Sequence, residues 1–141
     1  MTTFYLVRHA HTHWTPDEMR SLSEQGRSDA LRVADLLAHH PIDLILSSPY
    51  SRARETVTPL AARLHLPVHI EPDLRERLLS GDPSAVTFTA AVRATWEDPT
   101  FAYPGGECNT AAQRRGVSVV SRLHAAHTGA SIVAATHGNL L

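Results

Sequence analysis

Five residues that could carry out phosphoryl chemistry stand just after apolar segments of the chain. Arg8 and His9 follow the first segment, Arg52 follows the second, Glu76 the third and His137 the last. Guanidinium groups match the geometry of phosphate oxygens, and a neutral imidazole can attack phosphorus. A second imidazole can donate to the equatorial oxygens, and a protonated carboxyl can supply the proton that a leaving alkoxide needs. Since phosphoryl transfer mainly requires positioning and positive charge around those oxygens, the set predicts this chemistry.

Alternating strands and helices are expected to position these residues. The run of four apolar residues in Phe4–Val7 is typical of a strand that is buried on both faces. Further strands are predicted at Ile42–Leu46, Val68–Ile70 and Ser131–Thr136. Helices are predicted from Ser23, as the capping residue, to Pro41; from Ser51 to Leu64, with Pro59 expected to kink or break it; from Asp82-Pro83 to Trp96; and from Asn109, as the capping residue, to His127.

This alternation predicts an α/β fold with a mainly parallel sheet and right-handed crossovers. In a parallel sheet the carboxyl ends of the strands lie at one edge, which is where ligands usually bind. The two basic residues Arg52 and Arg54 fall in the first turn of a predicted helix, where they oppose the helix dipole. An anion held at that end of the helix would explain them.

The bulk composition fits one domain with its own core. The chain has 141 residues and a formal net charge of −1, so no overall field draws it to nucleic acid or to an anionic membrane surface. No apolar stretch is long enough to span a bilayer or to serve as a signal peptide. The single cysteine, Cys108, cannot form an internal disulfide, which fits a reducing compartment, and a cytoplasmic location is expected.

Six short motifs occur in order along the chain. They are Arg8-His9-Ala10, Leu22-Ser23-Glu24-Gln25-Gly26, Ser48-Pro49-Tyr50-Ser51-Arg52-Ala53, Leu74-Arg75-Glu76, Pro104-Gly105-Gly106-Glu107 and Thr136-His137-Gly138. Each motif is weak alone, but the ordered set resembles the histidine phosphatase superfamily, which is also called phosphoglycerate mutase-like. The resemblance extends from Phe4 to Leu140.

The resemblance implies a three-layer α/β/α fold and a role for each of the five residues. His9 would become phosphorylated, Arg8, Arg52 and His137 would form the phosphate pocket, and Glu76 would be the proton donor. It also implies that no metal or cofactor is required. The expected function is hydrolysis of a small phosphomonoester, with inorganic phosphate or sulfate as further ligands of the pocket.

The sequence departs from the family pattern at four places, one of which is His11, where the family often has Glu or Gln. Ala10 replaces the usual glycine, and its methyl group could interfere with a close backbone approach. Thr15 stands where many members place an asparagine that touches phosphate, so it is expected to bind substrate with a shorter reach. After His137 the chain has only Gly138–Leu141, whereas the family continues with a helix and further strands. The expectation is therefore a single domain, 1–141, that is truncated relative to the family and is either less stable than a longer form or covered by a homodimer.

Three alternatives remain open at this stage. The first is a phosphoglycerate mutase-type phosphotransferase, which the compactness of the chain disfavours because such mutases carry longer insertions around the pocket. The second is a phosphate-ligand binding domain whose catalysis is impaired by Ala10 or by the short carboxyl end. The third is a zinc site at His9, His11 and His13, where the nearest following carboxylate is Asp17.

Overall fold

The computed structural model describes residues 1–141 and contains four strands and four helices. The strands are β1 (Thr3–Arg8), β2 (Leu44–Ser47), β3 (Val68–Ile70) and β4 (Ser131–Thr136). The helices are α1 (Glu24–Leu37), α2 (Ser51–Leu64), α3 (Phe88–Glu97) and α4 (Asn109–Ala126), and a short 3₁₀ turn covers Pro72–Leu74. None of the helices combines the length and the apolar character needed to cross a membrane.

The four strands form one parallel sheet in the order β1-β4-β2-β3. The last strand, β4, therefore lies between the first two, with Arg8 opposite Thr136 and Ser47 opposite Ala135. This register aligns the carboxyl ends of β1, β4 and β2 at the same edge of the sheet, as the alternation of elements predicts. Strand β1 lies at one lateral edge of the sheet. The prediction that it is buried on both faces is wrong, because none of its residues is fully buried and Leu6 is 52% exposed.

Helices cover the sheet on both faces, which confirms the three-layer α/β/α prediction. On one face α1 and α2 pack against Ile45, Val133 and Ala135. On the other face α4 packs against Leu46 and against the alternate residues of β4, including Ile132. Successive residues of β2 and β4 point to opposite faces, and both faces are buried. This explains why these strands read as continuous apolar runs in the sequence.

The predicted start of the third helix is wrong. Helix α3 begins at Phe88, and its capping residue is Thr87, whose side chain accepts from the backbone N–H of Ala90 at 3.3 Å. Asp82 instead closes a local turn. Its carboxylate accepts from the backbone N–H of Ser84 at 2.9 Å and from the Ser84 hydroxyl at 2.6 Å. A short acidic side chain can satisfy either a helix cap or such a turn, and the sequence does not distinguish the two.

Three smaller predictions also need correction. The capping residue of α4 is Cys108, not Asn109, because the Asn109 amide donates to the carbonyl oxygen of Thr95 at 2.6 Å. Helix α2 continues through Pro59, so the proline does not break the helix. Strand β2 begins at Leu44, two residues later than predicted.

Candidate active site

The carboxyl ends of three neighbouring strands bring His9, Ser48 and His137 together. The ladder continues one residue past the strands, because His9 N donates to Thr136 O and Ser48 N donates to Ala135 O, both at 2.9 Å. The ring centroids of His9 and His137 lie 5.2 Å apart. Two imidazoles that are nearly 130 residues apart in sequence therefore share one site because their strands are paired.

The tautomer of His9 follows from its hydrogen bond. Its Nδ1 lies 2.8 Å from the carbonyl oxygen of Ala10, and a carbonyl can only accept, so Nδ1 carries the proton and donates it. The lone pair is then on Nε2, the other ring nitrogen. Burial lowers the pKa of His9, and the charges of Arg52 and Arg8 lower it further. His9 is therefore a neutral imidazole with a free basic nitrogen, which is the form a nucleophile needs.

Ala10 fits its position without backbone strain. The only residue other than glycine with a positive φ is His65, so Ala10 does not adopt the left-handed conformation that would favour glycine. Its N–H donates to the Thr56 hydroxyl at 2.9 Å, and that hydroxyl donates to the carbonyl oxygen of Arg52 at 2.7 Å. The turn after β1 is thus fixed directly to the first turns of α2.

His137 is fully buried and held by one hydrogen bond. Its Nε2 lies 2.7 Å from the Ser48 hydroxyl, and the ring of Tyr50 contacts it edge-on at 5.2 Å between centroids. Burial, followed by the charge of Arg52, lowers the pKa of His137 to about 2. When the Ser48 hydroxyl donates to Nε2, the proton of this neutral ring is on Nδ1, which has no protein partner.

Glu76 faces that unpartnered nitrogen. Its Oε2 lies 4.0 Å from His137 Nδ1, and its Oε1 accepts from the backbone N–H of Arg77 at 3.0 Å. Burial raises the pKa of Glu76, although the Arg77 N–H and the charge of Arg52 oppose the shift. A carboxyl with a raised pKa keeps its proton at higher pH than an exposed glutamate does, as a general acid requires.

Two predicted arginines lie near His9, since the charges of Arg52 and Arg8 both lower its pKa. Arg52 is 2% exposed, donates from Nη1 to the carbonyl oxygen of Glu18 at 2.8 Å, and lies with Cζ 4.8 Å from the ring centroid of Tyr50. The Arg8 side chain lies against Gly138, with Nε 3.1 Å from the point where a Cβ atom on that glycine would lie. Neither arginine forms a salt bridge, whereas Arg63, Arg75, Arg115 and Arg122 each pair with a carboxylate.

Thr15 is the one predicted site residue whose side chain the structure does not bring into contact with the others. It is exposed, its hydroxyl makes no hydrogen bond, and its carbonyl oxygen accepts from Arg20 Nη1 at 3.3 Å. Sequence reasoning missed Arg20 and also Arg77, which is 3% exposed and next to Glu76. A single arginine in a loop carries no periodic signal, so only the folded chain reveals that Arg77 and the Nε atom of Arg20 are buried.

A buried arginine on α4 fixes the segment that carries Glu76. Arg115 forms a bidentate pair with Glu107, from Nε at 3.0 Å and from Nη2 at 2.6 Å, and its Nη1 donates to the carbonyl oxygen of Arg75 at 3.0 Å. Glu107 therefore ties its loop to α4 through this ion pair with Arg115. Together the two side chains connect α4, the glycine-rich loop before it and the residue directly before Glu76.

A cavity of about 470 Å³ opens beside Glu76 and Tyr50. Its other walls are formed by Glu18, Leu78 and the loop 102–108. The loop approaches closely because it contains glycines, and a Cβ atom on Gly106 would lie 2.4 Å from the carbonyl oxygen of Leu79.

The two histidines and Glu76 also form a possible set of metal ligands. The ligand atoms of His9, Glu76 and His137 lie within 4.8 Å of one another, so the donor set could hold a cation. The predicted zinc set is different, and His11 is used elsewhere, since its Nδ1 lies 2.7 Å from the Ser23 hydroxyl. The positive charge of Arg52 opposes a cation between His9 and His137, because it already lowers the pKa of both rings.

All buried side-chain nitrogens without a hydrogen-bond partner belong to this region. They are Arg20 Nε, Arg52 Nε, Arg77 Nε and Nη1, and His137 Nδ1. Buried polar groups are nearly always paired, so a cluster of unpaired donors indicates a missing acceptor. An anion with several oxygens would satisfy such donors, and together with the neutral His9 and with Glu76, whose pKa is raised, they define a site for phosphate chemistry.

The chain belongs to the histidine phosphatase superfamily (branch 1), whose family model matches residues 4–141. Among its relatives is the glucosyl-3-phosphoglycerate phosphatase of Mycobacterium tuberculosis, which is 33% identical over 135 residues, covering 85% of this chain and 60% of that protein. An uncharacterised protein of the same organism is 38% identical over 81 residues, covering 53% of this chain and 40% of that protein. The chain thus spans roughly half the length of these relatives.

Solved structures share the fold. YhfR of Bacillus stearothermophilus superposes with a TM-score of 0.83 at 28% identity, covering 99% of this chain and 76% of YhfR. A mycobacterial glucosyl-3-phosphoglycerate phosphatase in complex with inorganic phosphate gives a TM-score of 0.81 at 29% identity, covering 96% of this chain and 72% of that one. The chain is therefore a member of a phosphatase family with the fold that the sequence predicts.

Proposed function

We propose that this chain is a phosphatase that hydrolyses a small phosphomonoester through a phosphohistidine formed on His9. The observation that carries the proposal is the presence of three features in one site. His9 is neutral with Nε2 free, Glu76 has a raised pKa, and unpaired donors of Arg52 and His137 surround them. Nucleophile, acid and anion-binding donors are thereby present at one edge of the sheet.

In the first step His9 Nε2 attacks phosphorus and the bond from phosphorus to the ester oxygen breaks. The proton of the Glu76 carboxyl passes to the leaving alkoxide, which departs as an alcohol. Arg8, Arg52 and His137 stabilise the charge on the three equatorial oxygens. In the second step water attacks the phosphorus of phosphohistidine, Glu76 accepts the proton of that water, and inorganic phosphate leaves with His9 restored.

No step of this scheme requires a metal ion. Arginine side chains supply the positive charge that a cation would otherwise provide, and the acid is a carboxyl of the chain. Inorganic phosphate, sulfate and vanadate are expected to compete with the ester for the same donors. A mycobacterial relative is a glucosyl-3-phosphoglycerate phosphatase. For this chain the substrate proposal remains a small phosphomonoester whose organic part occupies the cavity beside Glu76.

The decisive experiment traps the covalent intermediate. Rapid quench of wild-type protein with a labelled phosphomonoester should yield acid-labile, base-stable phosphate on His9, and the variant His9→Ala should lose both the label and turnover. His13→Ala is the matched control, because His13 is an exposed histidine of the adjacent loop. Full turnover by His9→Ala would refute the proposed nucleophile.

Parallel assays decide between hydrolysis and the alternatives. Equal release of inorganic phosphate and alcohol supports a phosphatase, whereas phosphate transfer to an added phosphoglycerate indicates a mutase. Phosphate binding without release of either product indicates a binding domain. Turnover that EDTA abolishes and zinc restores would favour a metal held by His9, Glu76 and His137.

A further inference from the structure

Arg20 has the features of a ligand-binding arginine, although no role follows for it from the motifs. Its Nη1 donates to the carbonyl oxygens of Thr15 at 3.3 Å and Asp17 at 3.1 Å, which holds the head group in a fixed orientation. Its Nε is buried and has no hydrogen-bond partner. Arg20 also forms no salt bridge, so its charge is uncompensated by any carboxylate within 4.0 Å.

The loop that carries Arg20 is attached to the site at several points. The carbonyl oxygen of Glu18 accepts from Arg52 Nη1 at 2.8 Å, and Leu22 N donates to Glu55 on α2 at 2.8 Å. Within the loop the Thr12 hydroxyl donates to the carbonyl oxygen of Ser21 at 2.8 Å. The backbone on both sides of Arg20 is thus held, which keeps a second guanidinium near Arg52 in spite of their repulsion.

The charge of Arg20 reaches the reacting groups. After the larger effect of burial, Arg20 lowers the pKa of Arg52, and it contributes in the same direction for His9 and His137. Arg77, the other unpaired arginine, instead lies near the carboxylates of Glu76 and Glu107. Of the two arginines that the motifs do not include, Arg20 is therefore the one on the phosphoryl side of the site.

We propose that Arg20 is a further substrate-binding residue, whose guanidinium binds the phosphoryl group beside Arg52 and thereby selects the dianion of a phosphomonoester. The inference rests on the proposed phosphatase function and deepens it. Two guanidiniums without carboxylate partners repel each other, and a bound dianion relieves this repulsion while accepting from both. A phosphodiester carries a single negative charge and one terminal oxygen fewer, so it gains less from the same pair.

A purely structural role for Arg20, as a support for the loop through Thr15 and Asp17, makes a different prediction. Arg20→Gln removes the charge but keeps an amide donor, and Arg20→Lys keeps the charge. If Arg20 binds the anion, Arg20→Gln should weaken the binding of inorganic phosphate and vanadate by about 10- to 100-fold, as for one charge-assisted hydrogen bond. Arg20→Lys should recover part of this loss. Arg32→Gln is the matched control, since Arg32 is an exposed arginine on α1.

The measurement is calorimetric titration with phosphate and inhibition by vanadate at several pH values, with a thermal melt of each variant as a check on folding. In wild type the KM of a phosphomonoester should fall as pH rises through its second pKa near 6, because the dianion is bound. This dependence should flatten in Arg20→Gln, while NMR titration should show a higher pKa for His9. Phosphate binding within twofold of wild type, with an unchanged pH profile in folded Arg20→Gln, would overturn the inference.

The two proposals fail separately in this design. If the wild type binds phosphate tightly but shows no turnover, the proposed phosphatase function is wrong. The loss of phosphate binding in Arg20→Gln would still test the proposed role of Arg20. Normal turnover together with unaltered binding in Arg20→Gln would refute the role of Arg20 alone. If the wild-type chain binds neither phosphate nor vanadate, both proposals are wrong.

Discussion

The buried neutral imidazole of His137 should make the stability of the fold depend on pH. In the unfolded chain a histidine has a pKa near 6.5, whereas in the fold the pKa of His137 is lowered to about 2. Between these two values the unfolded state binds a proton that the folded state does not. The free energy of unfolding therefore rises with pH through this window. Equivalently, the fold becomes progressively less stable as pH falls below 6.5.

The size of the effect follows from the shift. Each pH unit well inside the window corresponds to about 1.4 kcal/mol, so lowering the pH from 6.5 to 4.5 should cost about 2 kcal/mol from His137 alone. The result does not depend on the exact folded pKa, provided that it lies below roughly 3.5. A loss of this size is a large fraction of the stability of an ordinary domain.

Urea unfolding of wild type and His137→Gln at pH 7.5, 6.5, 5.5 and 4.5, in buffers free of phosphate, tests this reasoning. Wild type should lose about 2 kcal/mol more than the variant between pH 6.5 and 4.5, and His39→Gln, at an exposed histidine, should behave like wild type. Parallel curves for wild type and His137→Gln would show that His137 is solvated or charged in the fold. Such a result would remove the argument for a neutral hydrogen-bond donor at this position.

Three further changes have defined outcomes. Glu76→Gln should lower the rate on alkyl phosphates by roughly 10²–10⁴-fold but affect nitrophenyl phosphate less, and equal losses in steady-state assays would argue against an acid role. Gly26→Ala should destabilise the fold by about 1–3 kcal/mol in urea titrations, because the added Cβ would lie 2.0 Å from His11 O. Gly116→Ala is the control and should be neutral or stabilising, because its Cβ would lie 3.6 Å from the nearest atom, Leu140 Cδ1. Arg115→Met should cost about 3 kcal/mol by the same measurement, since it leaves a largely buried carboxylate unpaired, and a loss below 1 kcal/mol would contradict this.

Much of the fold could be predicted because local patterns and global topology agree. The alternation of elements predicts parallel strands, and parallel strands place Arg8, His9 and His137 at one edge; the burial of Phe4–Val7 on both faces was not correctly predicted, because β1 is an edge strand. Capping at Ser23 was also predictable, since its hydroxyl accepts from Gly26 N at 3.0 Å. These features depend on short-range chemistry that the sequence displays directly.

Other features depend on packing that no local pattern encodes. Asp82 could cap a helix or close a turn, and only the surrounding chain decides between them. Arg20 and Arg77 are single charged residues in loops, and the partial burial of Arg20 and the full burial of Arg77 follow from how those loops fold. The same holds for Arg115, whose partner on the glycine-rich loop is eight residues away in sequence and whose carbonyl acceptor is forty residues away.

The position of β4 between β1 and β2 also constrains how the molecule folds. Thr3 pairs with Ser131, so β1 has no strand partner until nearly 130 further residues have been made, and Leu44 of β2 waits about 90 residues for its partner Ile132. At typical synthesis rates of 5–20 residues per second, the interval for β1 is roughly 6 to 26 s. Such distant pairings slow the search for the native state, because loop closure must precede any gain from the contacts. Completion of the sheet and assembly of the two histidines are consequently a single late event, and a nascent chain that has not reached β4 has neither.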